Sequence, residues 1–156
     1  VGGLDGRFFA HQEEIDLCWR LRSRGRGVVC VPQSVAYHLG GGTLPQGNPR
    51  KTFLNFRNNL LLLYKNLPDE RLSKVMRLRF WLDALASVQF LLTMQWGSFL
   101  AVWKARRAFY EMKEDFRKNR EENLRKTTLS PVPEQSIFSL LWQYYVKGKK
   151  RFSQLK

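Results

Sequence analysis

The sequence lacks the short motifs with which many enzymes bind phosphate groups or metal ions. It contains no Asp-x-Asp pair, no Gly-x-Gly-x-x-Gly turn and no P-loop pattern. Its two cysteines, Cys18 and Cys30, predict neither a disulfide framework nor a zinc site, and they fit a reducing cytoplasm. Cys18 in a helix and Cys30 in a strand are both expected to be small buried residues.

Acidic residues are also scarce, with 13 Asp and Glu against 27 Lys and Arg and a net charge of +14. Residues 1–45 hold five basic and four acidic side chains, so almost all of the excess charge falls on residues 46–156. A basic region of this kind attracts an anionic partner, either nucleic acid or a membrane surface. The sequence has no zinc-finger spacing, RNA-recognition motif or helix-turn-helix glycine pattern. It therefore predicts a membrane partner and no nucleic acid, with a nucleic-acid-binding module as the weakest alternative.

Three carboxylates lie within four positions at the start of a predicted amphipathic helix: Glu13, Glu14 and Asp16. Carboxylates packed this closely repel one another, which tends to raise the pKa of one of them, as a general base requires. The alternative interpretation is that acids in a first helical turn favour the positive end of the helix dipole. A glycine stop at Gly25 is expected to close the helix.

Two short strands are predicted after this helix, over residues 28–32 and 34–38. The order of motifs is GG-x-D-x-x-F-F, then E-[DE]-x-D-L-C-x-R-L, then V-P-x-x-x-x-x-H. This order resembles the acceptor-side half of a family 2 glycosyltransferase, over roughly residues 1–67. The resemblance implies an α/β fragment that is mostly helical: the C-terminal part of a GT-A glycosyltransferase domain, followed by amphipathic helices.

The resemblance also implies which acids take part in catalysis. In the family, the second acid of the pair takes the proton from the acceptor hydroxyl, and Glu14 matches that position. The family more often has Asp there, and the longer glutamate keeps the carboxylate while changing its reach. Glu13 and Asp16 are then expected to support the base, by orienting the acceptor or by bonding to backbone.

Three further residues are expected to bind substrate or metal. His38 matches a histidine that holds a divalent metal, Mn²⁺ or Mg²⁺, on the nucleotide diphosphate in some members; a surface role is its alternative. Arg57 is expected to neutralise phosphate, with a capping or solvated role as the alternative. Trp19 is expected to contact substrate. The implied partners are a nucleotide-sugar donor and a glycan or lipid-linked acceptor, as in cell-envelope polysaccharide synthesis.

The missing Asp-x-Asp and nucleotide-binding half predict that this chain is the C-terminal part of a longer inverting transferase and cannot catalyse transfer as it stands. The alternative is a non-catalytic, membrane-associated scaffold that kept the shape of a transferase. Residues 1–68 are assigned to the acceptor-side part of the catalytic domain and residues 69–126 to basic amphipathic helices. Residues 127–156 are predicted to hold a linker, a short apolar helix and a basic tail.

A run of 20 residues without charge, residues 84–103, is long enough to span a bilayer. Its polar side chains make it a poor span, and aromatic and basic residues surround it. We therefore expect two interfacial helices that meet near residues 95–97, in preference to one span. A soluble helical pair is the remaining alternative. The predicted location is peripheral, at the cytoplasmic face of the cell membrane.

Overall fold

The computed structural model describes residues 1–37, 45, 47–136 and 138–155 of the protein. These residues are mostly helical, which confirms the coarse prediction of fold class. The helices are α1 (Glu13–Ser23), α2 (Pro49–Asn66), α3 (Asp69–Leu92), α4 (Trp96–Met112) and α5 (Arg117–Lys126). Single turns of helix lie at Gly6–Phe8, Lys113–Phe116, Trp142–Val146 and Phe152–Gln154.

The central element is α2, and its ends follow from local chemistry. Asn48 caps it through a hydrogen bond of 2.8 Å from the Arg50 amide to Oδ1, and Pro49 takes the first helical position, where no amide is needed. The helix stops just before Pro68. Because α1, α3, α4 and α5 all contact α2, the second half of α2 is buried almost all round.

The core lies where α2 packs against α4. The turn that contains Phe8 and the turn that contains Phe116 complete it. Its buried members are Phe8, Leu60, Leu61, Leu62, Tyr64, Phe109 and Phe116. The rings of Tyr64 and Phe109 meet edge to face at 6.0 Å, as do those of Phe8 and Phe116 at 5.9 Å. At Gly97 a Cβ would lie 2.6 Å from the Pro49 Cγ, so only glycine lets the start of α4 approach α2 this closely.

A helical hairpin follows, formed by α3 and α4. The chain reverses at residues 93–95, where the Gln95 amide donates to the Phe90 carbonyl at 2.8 Å. This confirms the prediction of two helices that meet near residues 95–97. Among the described helices, none combines the length and apolarity needed to cross a membrane.

The predicted strands at residues 28–32 and 34–38 are wrong for the part of this region that the structure describes, residues 28–37, which contains no strand. A strand needs a neighbour for its amides and carbonyls, and no described residue pairs with this segment as a ladder. Its side chains stay in solvent, with Tyr37 99% exposed. Cys18 and Cys30 are exposed, so the expectation that they are buried is also wrong. Without sheet pairing, nothing covers Cys30.

Two C-terminal segments pack back onto the helices. Arg120 of α5 donates to the carbonyl of Leu67 at 2.6 Å and to that of Tyr64, and it pairs with Asp69 at 2.5 Å. The linker lies against α1, where the amide of Thr128 donates to the Ser23 carbonyl at 2.7 Å. In the described part of the predicted apolar helix at residues 137–146, the only regular turn is Trp142–Val146.

Candidate functional site

The turn before α1 has an unusual backbone. Phe9, His11 and Gln12 have φ values of 65°, 69° and 75°, in the left-handed region that residues with a side chain rarely adopt. Each such residue costs roughly 1–3 kcal/mol and persists only where the surroundings enforce it. Strain of this kind is concentrated at functional sites, and here it directly precedes the acid cluster.

An asparagine from α2 enforces this turn. The fully buried Asn58 holds Nδ2 at 2.8, 2.7 and 2.8 Å from the carbonyl oxygens of Phe8, Ala10 and His11, so its two N–H donors are shared among three acceptors. The Arg57 guanidinium donates to the Phe8 carbonyl at 3.1 Å and to Asn58 Oδ1 at 2.9 Å. We call these two residues the Arg57–Asn58 clamp.

The clamp gives Arg57 a role in positioning the turn before α1. Burial lowers the pKa of Arg57, although a guanidinium remains charged at any physiological pH. The expectation that this residue binds phosphate stays a prediction. Its donors to backbone carbonyls nevertheless fix the turn that leads into α1.

The three acids of the cluster differ in how far their side chains are buried. Glu14 is exposed, Glu13 is half-buried and Asp16 is completely buried. Glu13 Oε2 and His11 Nε2 are shielded from solvent, and neither has a hydrogen-bond partner within the described part of the chain. An oxygen acceptor and a ring nitrogen in that condition are free to bond a ligand or water. Glu13, Glu14 and His11 therefore form the candidate site.

Asp16 anchors α1 to α2. Its Oδ2 accepts from Lys65 Nζ and from Arg20 Nε, each at 2.8 Å, and its Oδ1 accepts from Asn66 Nδ2 at 2.8 Å. Every oxygen of this carboxylate is occupied, and Lys65 is itself only 2% exposed. Asp16 thus supports the candidate site by holding α1 in place. Its partners are side chains, and not the backbone groups that the sequence interpretation offered.

Lys65 extends the network to the start of the chain. Its ammonium also donates to Asp5 Oδ2 at 2.8 Å, and Arg7 binds the same carboxylate at 2.6 Å. Burial alone would raise the pKa of Asp5, but the hydrogen bonds and charges of Arg7 and Lys65 outweigh it and hold that pKa well below its ordinary value. The GG-x-D motif and the acid cluster are therefore joined through one lysine of α2.

His11, Asn58, Lys65 and Asn66 were missed by the sequence interpretation. For the α2 residues a signal existed, because Asn58 and Lys65 are seven positions apart and Asn66 follows directly. Residues seven apart lie on one face of a helix. Polar residues on one face of an otherwise leucine-rich helix indicate a buried polar contact. For His11 the signal was its place two residues before the acid pair.

Trp19 is not brought to this site. Trp19 packs against the core and lines a cavity of about 260 Å³ with Asn66 and residues of the linker. Five positions separate it from Glu14, which places the two about 140° apart around α1. His38, the predicted metal ligand, lies outside the described residues. Within the described residues, no three His, Cys, Asp or Glu side chains are grouped to hold a metal ion.

The Asn58→Ala variant should lose about 1–3 kcal/mol of unfolding free energy, because the buried carbonyl of Phe8 and the partly buried carbonyls of Ala10 and His11 lose their donor. Urea unfolding measures the loss, and amide hydrogen exchange at residues 9–12 should become faster. The matched control is Asn55→Ala, since Asn55 donates only to the Lys51 carbonyl of its own helix, at 3.1 Å. The control should change stability by no more than about 0.5 kcal/mol. Equal losses in the two variants would contradict the clamp.

Comparison of the chain with family models, curated proteins and solved structures gives no match.

Proposed function

We propose that this chain is the acceptor-side part of an inverting glycosyltransferase of the family 2 type. The proposed enzyme moves a sugar from a nucleotide-sugar donor to a glycan or lipid-linked acceptor at the cytoplasmic face of a membrane. The observation that carries the proposal is the exposed carboxylate of Glu14 on an anchored helix, directly after the strained turn held by the Arg57–Asn58 clamp. The order of sequence motifs supplies the chemical class.

In the proposed reaction Glu14 takes the proton of the acceptor hydroxyl. The acceptor oxygen attacks the anomeric carbon from the face opposite the leaving group, and the bond from that carbon to the nucleotide diphosphate breaks. The sugar changes configuration, the diphosphate leaves with the electron pair, and the proton remains on Glu14. Exposure of Glu14 lets an acceptor reach it, while the Asp16 and Asn58 contacts keep its helix in place.

Members of the proposed family use a divalent metal to neutralise the diphosphate. The described residues offer no ligand set for such an ion, and His38 lies outside them. His38 stays the proposed ligand of this metal, Mn²⁺ or Mg²⁺, and no step of the proposed reaction runs through the metal.

A donor screen tests the proposal. The full-length protein is incubated with a panel of nucleotide sugars, and hydrolysis and transfer are followed by release of the nucleotide diphosphate. Turnover of one donor, increased by addition of a sugar or lipid-linked acceptor, supports a transferase. Binding of donors without any turnover would favour the non-catalytic scaffold instead.

The proposed membrane location is supported by the surface of the α3–α4 hairpin. Arg71, Lys74 and Arg77 are exposed near the start of α3. Two other cations of the hairpin are not available to lipid, because Arg79 and Arg106 both pair with the buried Asp83, at 2.6 and 2.9 Å.

Binding to anionic vesicles should be salt-sensitive. Each basic side chain near an anionic surface contributes about 1 kcal/mol, so the triple change Arg71→Gln, Lys74→Gln and Arg77→Gln should weaken partitioning roughly a hundredfold. Sedimentation with phosphatidylglycerol vesicles at low and high salt measures it. The matched control places the same change on α5, at Lys118, Arg125 and Lys126, which are also exposed. Pelleting that survives high salt and alkaline carbonate would contradict a peripheral contact.

A further inference from the structure

An open cavity of about 710 Å³ lies within the C-terminal segment, in the part of residues 133–155 that the structure describes. This volume is within the range of small-molecule sites. Its lining is rich in apolar and aromatic side chains: Phe138, Leu140, Tyr144, Phe152 and Leu155. Leu140 and Phe152 are 57% and 85% exposed. Uncovered apolar side chains in a concave site call for an occupant with an apolar body.

Three successive cations line the same cavity: Lys149, Lys150 and Arg151. The backbone reverses just before them at Gly148, whose φ of 64° lies in the left-handed region that favours glycine. After this reversal the amide of Lys149 donates to the Gln143 carbonyl at 2.9 Å. The next two amides donate to Oε1 of Gln154, at 2.9 and 3.0 Å. The three cations are therefore held against the cavity by backbone bonds that leave their charged groups unused.

The charge of these three cations is not neutralised within the described chain. None of them forms an ion pair with a described Asp or Glu. Glu134, the one acid among the described lining residues, is bound instead by Arg22 of α1, with 3.1 Å between Nε and Oε2. Three successive residues extend over at most roughly 10 Å. The cavity therefore holds one compact positive cluster beside its apolar lining.

This combination selects among anionic occupants. A nucleic acid needs cations spread along a groove that follows its phosphates, whereas these cations form a single cluster. An acidic peptide would bury backbone N–H and C=O groups against apolar side chains without hydrogen-bond partners, which costs free energy. A second copy of the chain would bring its own net charge of +14 to this cluster, which opposes association. A phospholipid carries one anionic phosphate on an apolar body, so it meets both requirements.

We propose that the cavity binds one anionic membrane phospholipid. Its phosphate contacts the charged groups of Lys149, Lys150 and Arg151, and its hydrocarbon chains lie against the apolar lining. This inference rests on the proposed membrane location and not on the transferase reaction. It gives the C-terminal segment a site for a single lipid, in addition to the salt-sensitive surface of the α3–α4 hairpin.

The test uses the full chain and lipids that are dissolved as single molecules, with calorimetry as the measurement. The main probe is dihexanoyl phosphatidylglycerol below its micelle concentration. Glycerophosphoglycerol has the same headgroup without chains, and dihexanoyl phosphatidylcholine has the same chains without net charge. We expect saturable, one-to-one binding of the main probe. Each of the other two should bind at least about tenfold more weakly, because one lacks the apolar body and the other lacks the net negative charge.

A charge variant locates the phosphate. The triple change Lys149→Gln, Lys150→Gln and Arg151→Gln should reduce affinity for phosphatidylglycerol by at least about tenfold, because the phosphate loses its charged donors. The matched control removes the same number of charges from exposed positions of α5, at Lys118, Arg125 and Lys126. This control should bind the lipid as the unchanged protein does.

A blocking variant locates the chains. Ser136 is exposed and lines the cavity, and Ser136→Phe should weaken lipid binding because the ring occupies the space of the chains. Ser153→Phe is the matched control, since it adds the same ring to an exposed position of the same segment that does not line the cavity. The charge variant keeps the inference testable even where the added ring disturbs folding.

Three results would overturn the inference. They are equal lipid affinity in the charge variant and its control, equal affinity for the two dihexanoyl lipids, and tighter binding of hexaglutamate or of an oligonucleotide than of phosphatidylglycerol. Vesicle pelleting without single-lipid binding overturns this cavity and leaves the membrane location standing. A protein that fails the donor screen is still expected to bind the lipid, so this inference and the proposed reaction fail separately.

Discussion

A Glu14→Gln variant of the full-length protein is expected to lose sugar transfer by about 10²–10⁴-fold, while its affinity for the nucleotide-sugar donor stays nearly unchanged. Glutamine keeps the shape of the side chain and removes its capacity to accept a proton, so the loss measures base catalysis. Transfer is followed at saturating donor and acceptor, and donor affinity is measured by calorimetry.

The matched control for Glu14 is Glu70→Gln, because Glu70 is also an exposed acid in the first turn of a helix. The control should retain full activity. Turnover of Glu14→Gln above about a tenth of the wild-type rate would move the base elsewhere in the candidate site. Glu13 and His11 are the groups to test next, since each has a buried atom without a partner in the described structure.

The largest expected effect on stability belongs to Asp16→Ala. The substitution leaves the buried ammonium of Lys65 and the buried guanidinium of Arg20 without their shared carboxylate, and breaking a buried pair in this way costs about 3–5 kcal/mol. The shift of the urea unfolding midpoint measures the loss. In the exposed pair of Glu122 and Lys126, Glu122→Ala should shift the midpoint much less, because solvent screens this pair.

A second substitution tests the cause of that loss. Lys65→Met in the Asp16→Ala background removes a cation that has lost one of its two carboxylate partners and keeps only Asp5, so the two changes together should cost less than the sum of the two alone. Strictly additive losses would show that Asp16 stabilises the protein by some means other than this pair. Asp5 keeps Arg7 as a partner in both backgrounds.

The helix ends could be predicted from nearby residues, whereas the presence or absence of strands could not. The start of α2 at Pro49, its stop before Pro68 and the end of α1 at the left-handed Gly25 follow from residues within a few positions of each boundary. Strands at residues 28–32 and 34–38, which the sequence predicts wrongly, would need a partner distant in sequence. Their composition therefore could not decide whether a ladder forms.

The candidate site shows the same division. The exposed position of Glu14 follows from its place at the start of a helix. The burial of Asp16 depends on which face of α1 meets α2. The amphipathic pattern of α1 alone does not specify which charged side chain of α2 will pair with Asp16. Lys65 lies 49 positions from Asp16 in the sequence, and only the pairing of the two helices brings them together.

The contacts that hold α1 and the turn before it on α2 come from side chains of α1 and α2. The chain that connects the two helices supplies none of these named contacts. The position of Glu14 is therefore set by the helix pair and not by the connection. Under the proposed function, a change in the length of that connection is expected to leave the carboxylate in place.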